Sequence, residues 1–194
     1  MSDPQDPVLI DIPERLDGPR TVLLAPHAGL GAELAVVITQ AISHLRPWMP
    51  WAQEAPTAES SELVVRRMQA DFIARRDLCF QIYARRPDGS PGRMLGGTGL
   101  HRIDWVVRRF EIGYWIRPEA AGQGHVSEAV ALLTALAFDR LGARRVEIRC
   151  DARNLKSRAV AQRCGFELEG VLRNEALGVD GAPRDTAVYS RITG

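Results

Sequence analysis

Gly122 and Gly124 lie between the end of a strand-like run and a stretch of helical spacing that opens near His125. Glycines there remove side chains from a loop that starts a helix. The first amides of a helix have no intrahelical acceptor, and the helix dipole adds partial positive charge. Such a loop can cradle a pyrophosphate, although a Gly-x-Gly ahead of a helix is also the composition of a plain turn. The loop lacks the Gly-x-x-x-x-Gly-Lys-Ser/Thr of a nucleoside-triphosphate site. It also follows several strands instead of the first strand of a dinucleotide fold. Glu111 alternates with Phe110 and Ile112, so it shares a sheet face with Gly113 and Trp115. It reads either as a proton acceptor or as an ordinary strand glutamate. Asn154 and Ser157 are residue types that cap helices, and His101 reads as a hydrogen-bonded strand histidine. Trp48 and Trp51 stand in the proline-broken loop Pro47-Trp48-Met49-Pro50-Trp51 and could wall an acceptor site or plug a core. Cys79, Cys150 and Cys164 are odd in number and match no zinc spacing, so no metal is expected. No base with an orienting group accompanies a nucleophile, which argues against a covalent intermediate on a side chain.

The elements that must position these residues follow from periodicity and punctuation. Residues 1–19, with four prolines, read as an irregular N-terminal arm, and residues 20–194 as one domain. Arg20 to Ala25 reads as a strand. Leu30, Leu34, Val37, Ile38, Ala41 and Ile42 mark a helix, and Thr57 caps a second one running to about Arg76. The stripe Val64, Met68, Phe72 and the stem of Arg75 would face the core of that second helix. Strands are expected over Leu78–Ala84, Met94–His101 and Arg109–Arg117. A long helix then carries Val126, Val130, Leu133, Ala137 and Leu141 on one face and stops at Gly142. Arg145–Cys150 is a strand, Asn154–Arg163 a helix, and Phe166–Arg173 and Asp185–Ile192 the last strands. A meander followed by strand–helix–strand–helix–strand predicts an α/β (α+β) domain with a mixed sheet. The strands beginning at Arg109 and Arg145 are its parallel neighbours.

Bulk composition narrows the functional classes. The chain has 194 residues, 45% hydrophobic and 25% charged, with a formal net charge of +1. That near-neutral balance gives no electrostatic footprint for direct nucleic-acid binding. No apolar run approaches the roughly 20 residues of a membrane span, so no membrane partner and a cytoplasmic location are expected.

In order, Trp48-Met49-Pro50-Trp51, Glu111-Ile112-Gly113-Tyr114-Trp115-Ile116, Gly122-Gln123-Gly124-His125-Val126-Ser127-Glu128-Ala129, Asn154-Leu155-Lys156-Ser157, Cys164-Gly165-Phe166-Glu167-Leu168-Glu169-Gly170 and Arg184-Asp185 resemble the GNAT superfamily of N-acetyltransferases. The resemblance is strongest to its branch acting on ribosomal-protein N-termini, and it runs from about residue 20 to the end. It implies a mixed, mostly antiparallel sheet whose parallel pair splays apart, with acetyl-CoA as co-substrate and no metal. It implies transfer to a primary amine by direct attack in a ternary complex. The acceptor would be a protein or peptide N-terminus, with a small-molecule amine or a non-catalytic CoA-binding role as the alternatives, and a homodimer is implied as well. The superfamily's loop is written Gln/Arg-x-x-Gly-x-Gly/Ala; aligned on Gly124, this chain has Ala121 and Val126 at two of those places. The cradle then works through the main chain of Gln123, Gly124, His125, Val126 and Ser127. The resemblance assigns Trp115, Ile116 and Asn154 to coenzyme contacts, Gly113 to a bulge at the splay, Glu111 to the base through a water, and Ser157 to the acid. Trp48 and Trp51 would face the acceptor.

Overall fold

The computed structural model describes residues 6–193. Eight strands form one sheet: β1 (Arg15–Asp17), β2 (Thr21–Leu24), β3 (Leu78–Arg85), β4 (Pro91–Asp104), β5 (Arg109–Ile116), β6 (Arg145–Asp151), β7 (Glu167–Leu177) and β8 (Pro183–Ile192). Their spatial order is β1-β2-β3-β4-β5-β6-β8-β7, so β8 inserts between β6 and β7. Every neighbouring pair is antiparallel except β5 with β6, the pair expected to be parallel. Among the described residues no helix is long and apolar enough to cross a membrane.

Four helices cover the two faces: α1 (Gly31–Leu45), α2 (Ala58–Ile73), α3 (His125–Ala135) and α4 (Leu155–Arg163). On one face Phe80, Leu100, Phe110, Ile112, Val146 and Ile148 pack with Val130 and Leu133 of α3 and Ala161 of α4. The expected α3 stripe is buried at Val130, Leu133, Ala137 and Leu141. The helix widens to a π-type turn over Leu136–Arg140, and Gly142, at φ +63°, ends it. On the opposite face Val22, Tyr83 and Met94 meet Leu34, Val37 and Ile38 of α1 and Val65 of α2. The α1–α2 crossing is close: a Cβ on Gly31 would lie 2.5 Å from the Glu62 backbone.

Three expectations need correction. The lead-in before residue 20 is not wholly irregular, because Arg15–Asp17 pairs with β2 and Ile12 is buried in the core. In α2, Thr57 caps as expected, exchanging bonds with Ser60. Its buried stripe, however, is Ser61, Val65 and Phe72; Val64 is 41% exposed. A one-residue rotation separates the two Val positions by about 100°, which is enough to exchange core for solvent. Gly113 carries no bulge. The β4–β5 register is continuous from Gly96↔Ile116 to His101↔Glu111, including Gly99↔Gly113, and the irregularity lies in β4 between His101 and Asp104. Arg102 there has φ +45°, a conformation that costs a non-glycine residue free energy and is common in bulges.

Candidate active site

The β5–β6 ladder is short. It pairs Arg109↔Arg145, Phe110↔Val146 and Glu111↔Glu147, and beyond Glu111 the two parallel strands share no pairing. The expected splay therefore exists, and it begins at Ile112. Trp115 and Ile116 lie on the diverging part of β5; Ile116 is buried, and Trp115 is half-buried.

The loop after β5 leads to α3. Gly122 and Gly124 have φ +76° and +86°, values that side chains other than glycine's rarely tolerate. The first amide after the loop to find a main-chain acceptor is that of Glu128, which donates to Gly124 O at 3.0 Å. The amides of residues 122–127 have no acceptor among the described residues. A row of orphan amides at the positive end of a helix fits a diphosphate. The side chains of the loop are otherwise engaged. Gln123 Nε2 donates to Glu119 O at 2.6 Å, His125 Nδ1 meets Thr21 Oγ1 at 3.0 Å, and Ser127 Oγ accepts from Arg163 Nη1 at 3.3 Å. Val126 packs on the core. Burial lowers the pKa of His125, which favours the neutral ring.

One residue unclaimed by sequence reasoning anchors this loop. Glu128, in the first turn of α3, accepts from Arg20 N, Thr21 N and Arg20 Nε, each at 2.9 Å. The Arg20 guanidinium in turn reaches Gln123 O at 3.5 Å. The carboxylate is thus spent on β2 instead of repelling an anion at the helix start.

Glu111 and Ser157 flank the splay on opposite faces of the sheet. Glu111 faces the α1/α2 side, and its side chain is 17% exposed, with Arg102 Nη1 3.4 Å from Oε2. Burial pushes its carboxyl above the usual range, with Arg102, Arg149 and His101 pulling the other way. On the other side, Asn154 caps α4 by accepting from Ser157 N at 3.1 Å, as its residue type predicts. Ser157 Oγ lies 2.9 Å from the Tyr114 hydroxyl, which also donates to Ser157 O at 3.0 Å. Burial pushes the Tyr114 phenol up, so it remains a hydrogen-bond donor. Tyr114 was missed because it alternates with Gly113 and Trp115 like any strand aromatic.

Trp51 is 52% exposed and makes an edge-to-face contact with Trp115, centroids 5.9 Å apart. Trp48 is half-buried in the loop after α1, where its amide donates to Leu45 O at 2.9 Å. The Trp51–Trp115 contact ties this loop to the diverging end of β5. His101 is hydrogen-bonded as expected, its Nδ1 2.8 Å from Asp77 Oδ2. The fold also gathers Asp77, Cys79 and His101 so that their donor atoms lie within 4.8 Å of one another, a grouping hidden by sequence spacing. Cys150 and Cys164 are half-buried, and burial raises both thiols.

These features agree with what the chain is similar to. The acetyltransferase (GNAT) domain family matches residues 29–167. YdaF of Bacillus subtilis (strain 168), named for ribosomal N-acetyltransferase activity, is 36% identical over 164 residues, covering 82% of this chain and 84% of that protein. The ribosomal-protein-serine acetyltransferase of Escherichia coli (strain K12) is 35% identical over 99 residues, covering 51% of this chain and 55% of its own length. Among solved structures, the microcin C7 self-immunity acetyltransferase MccE, in complex with acetyl-CoA and AMP, superposes with a TM-score of 0.85 at 26% identity, covering 94% of this chain and 98% of that one. The ribosomal L7/L12 α-N-protein acetyltransferase RimL, in complex with coenzyme A, gives a TM-score of 0.84 at 23% identity over 92% and 98% of the two chains, a likeness of fold. A splayed parallel pair, an orphan-amide loop at a helix start and a family match across most of the chain converge on one conclusion: the protein belongs to the GNAT acetyltransferase family and is an acetyl-CoA-dependent N-acetyltransferase.

Proposed function

We propose that the chain acetylates the α-amine of a protein or peptide N-terminus, of the ribosomal-protein type. The observation that carries this reading is the placement of Glu111 and Ser157 on opposite faces of one splay. An amine approaching from the α1/α2 side meets a carboxylate. A thiol departing on the α3/α4 side meets a hydroxyl. The amides of residues 122–127 would hold the coenzyme's diphosphate, assisted by Asn154. The unpaired stretch of β5 at Trp115 and Ile116 would hold its arm, and Trp48 and Trp51 would border the acceptor. Bound acetyl-CoA supplies the activated acyl group. Glu111 takes a proton from the ammonium through a water, and Ser157 Oγ, oriented by Tyr114, gives one to the leaving sulfur. Attack is direct.

The choice of an α-amine follows from protonation. With an unperturbed pKa of about 7.7–8.0, roughly a tenth of an N-terminal amine is neutral near pH 7, against far less than a hundredth of a lysine at about 10.4. A carboxylate therefore suffices as the base that frees the neutral nucleophile. The similarity to YdaF over 82% of this chain supports the same choice. A small-amine acceptor is the second reading, favoured by the likeness to the self-immunity enzyme MccE. Release of CoA measured against peptides with N-terminal serine or alanine and against small amines separates them. Turnover confined to the small amines would refute the proposal.

A further inference from the structure

An ammonium must shed two protons to become an amide nitrogen, and Glu111 can hold only one. We infer that Asp77 and His101 form a second proton acceptor on the amine side of the splay, His101 Nε2 taking the second proton and Asp77 positioning the ring. This inference rests on the proposed reading of Glu111.

His101 is the residue directly opposite Glu111 across the β4–β5 ladder, so the two side chains rise from the same face. Glu111 is also the last residue of β5 paired with β6. His101 therefore stands at the point where the strands part. Its Nδ1 lies 2.8 and 3.0 Å from the two oxygens of Asp77. A carboxylate can only accept, so Nδ1 carries the proton, and Nε2 presents its lone pair. The Cys79 thiol donates to Asp77 Oδ1 at 3.0 Å and gives the carboxylate a second side-chain partner. Among the described residues Nε2 has no hydrogen-bond partner, and the side chain is 31% exposed.

The ring's place on the sheet is made by two glycines. Gly99 and Gly113 are opposite each other on β4 and β5. A Cβ on either would sit 3.0 Å from His101 Nε2 and 2.8 Å from a ring carbon. Glycine on both strands lets the imidazole lie flat over the sheet with Nε2 above the diverging part of β5. The resulting order, carboxylate–imidazole–substrate nitrogen, is that of a general base held by an orienting acid. The balance closes: the N–C bond forms and the C–S bond breaks. One proton goes from nitrogen to Glu111 and one to His101; Ser157 gives one to sulfur and regains one from solvent, and Glu111 and His101 release theirs to solvent, which gains one proton net. The charged and titratable groups around the ring are Asp77, just before β3, Cys79 on β3, Arg102 on β4 and Glu111 on β5, with Glu147 and Arg149 of β6 near Glu111.

The test measures kcat against pH for the full chain with an N-terminal-serine peptide, and acetyl-CoA affinity by calorimetry. His101→Gln should lower kcat by on the order of 10²-fold with acetyl-CoA affinity unchanged. Asp77→Asn keeps the shape and should lower kcat less, with KM and acetyl-CoA affinity unchanged, because the ring loses the anionic acceptor that holds its Nδ1–H. A His101→Gln enzyme with wild-type kcat and pH profile, beside an impaired Glu111→Gln enzyme, overturns the inference and leaves the role of Glu111 standing. Should His101→Gln fail to fold, an Asp77→Asn profile identical to wild type overturns it equally. Activity lost to a chelator and restored by zinc would also overturn it, making the three-residue group a metal site. A wild type that acetylates no peptide fails the α-amine reading instead.

Discussion

Glu128 offers the sharpest test of how the coenzyme loop is held. Its side chain is 10% exposed and accepts three hydrogen bonds, two from main-chain amides and one from the Arg20 guanidinium. Glu128→Ala leaves Thr21 N, in a fully buried residue, without an acceptor, at a cost of about 1–3 kcal/mol. Arg20 N can turn to water. The Arg20 guanidinium is 61% exposed, so its ion pair adds at most about 1 kcal/mol. The sum is roughly 1–4 kcal/mol, or about 2–16 °C in melting temperature for a domain of this size. Glu128→Gln keeps one oxygen on both amides and loses only the ion pair, so it should melt within about 4 °C of wild type. Scanning calorimetry measures these shifts. Because Arg20 also reaches Gln123 O and lies 3.4 Å from the Cβ position of Gly124, the alanine variant should also bind acetyl-CoA more weakly, and the glutamine variant nearly as wild type. Equal melting of the two variants, or an alanine variant that melts with wild type, would refute the idea that this carboxylate fastens α3 to β2.

The other expected outcomes concern the splay and the far edge of the sheet. Glu111→Gln should slow turnover on the order of 10²-fold near neutral pH, and stopped assays should show the deficit shrinking above pH about 8, where the α-amine deprotonates unaided. Because burial raises this carboxyl in the folded protein, its stability contribution is lost as pH rises through the folded value; Glu111→Gln should therefore raise the melting temperature at neutral pH. Ser157→Ala should reduce kcat without changing acetyl-CoA affinity, since the Asn154 cap uses the Ser157 main chain, whereas Asn154→Ala should cost about 1 kcal/mol in urea melts. Hydrogen bonds from Arg145, then Ser190, hold the Glu169 carboxyl at about 2, below its ordinary 4.5. The stability it adds is present above pH 4.5 and is lost as pH falls toward 2. With 44% of that side chain exposed, the effect is under about 1 kcal/mol, and Glu169→Gln should flatten the acid melting curve by that amount.

What the sequence disclosed was whatever acts locally. The α3 stripe and its Gly142 stop, the Thr57 and Asn154 caps, and the glycines ahead of His125 are read within one or two turns of chain, and each has its expected place. The parallel β5–β6 neighbours followed from the helix between them. What escaped was set by pairing between distant strands. Asp77 and His101 are separated by 24 positions and meet only through the β3–β4 register. The β4 bulge uses Arg102, a residue type that announces no positive φ. β1 is a three-residue edge strand, Arg-Leu-Asp, too short to show alternation. Choosing Val65 over Val64 needed the direction of the α1–α2 crossing, and the insertion of β8 between β6 and β7 needed the ladders themselves.

The three-residue ladder between β5 and β6 also makes the splay the thinnest hydrogen-bonded joint inside the sheet, matched among the described residues by the edge pair β1–β2. On one side stand five strands, on the other three, and local opening should begin where main-chain bonding is sparsest. A coenzyme lodged there, as proposed, would act as a fastener for both halves. At a concentration 100 times its dissociation constant it adds about 2.7 kcal/mol to the folded state. Amide hydrogen exchange should therefore slow on both flanks of the joint when acetyl-CoA is added, because closing the joint steadies two blocks of structure at once.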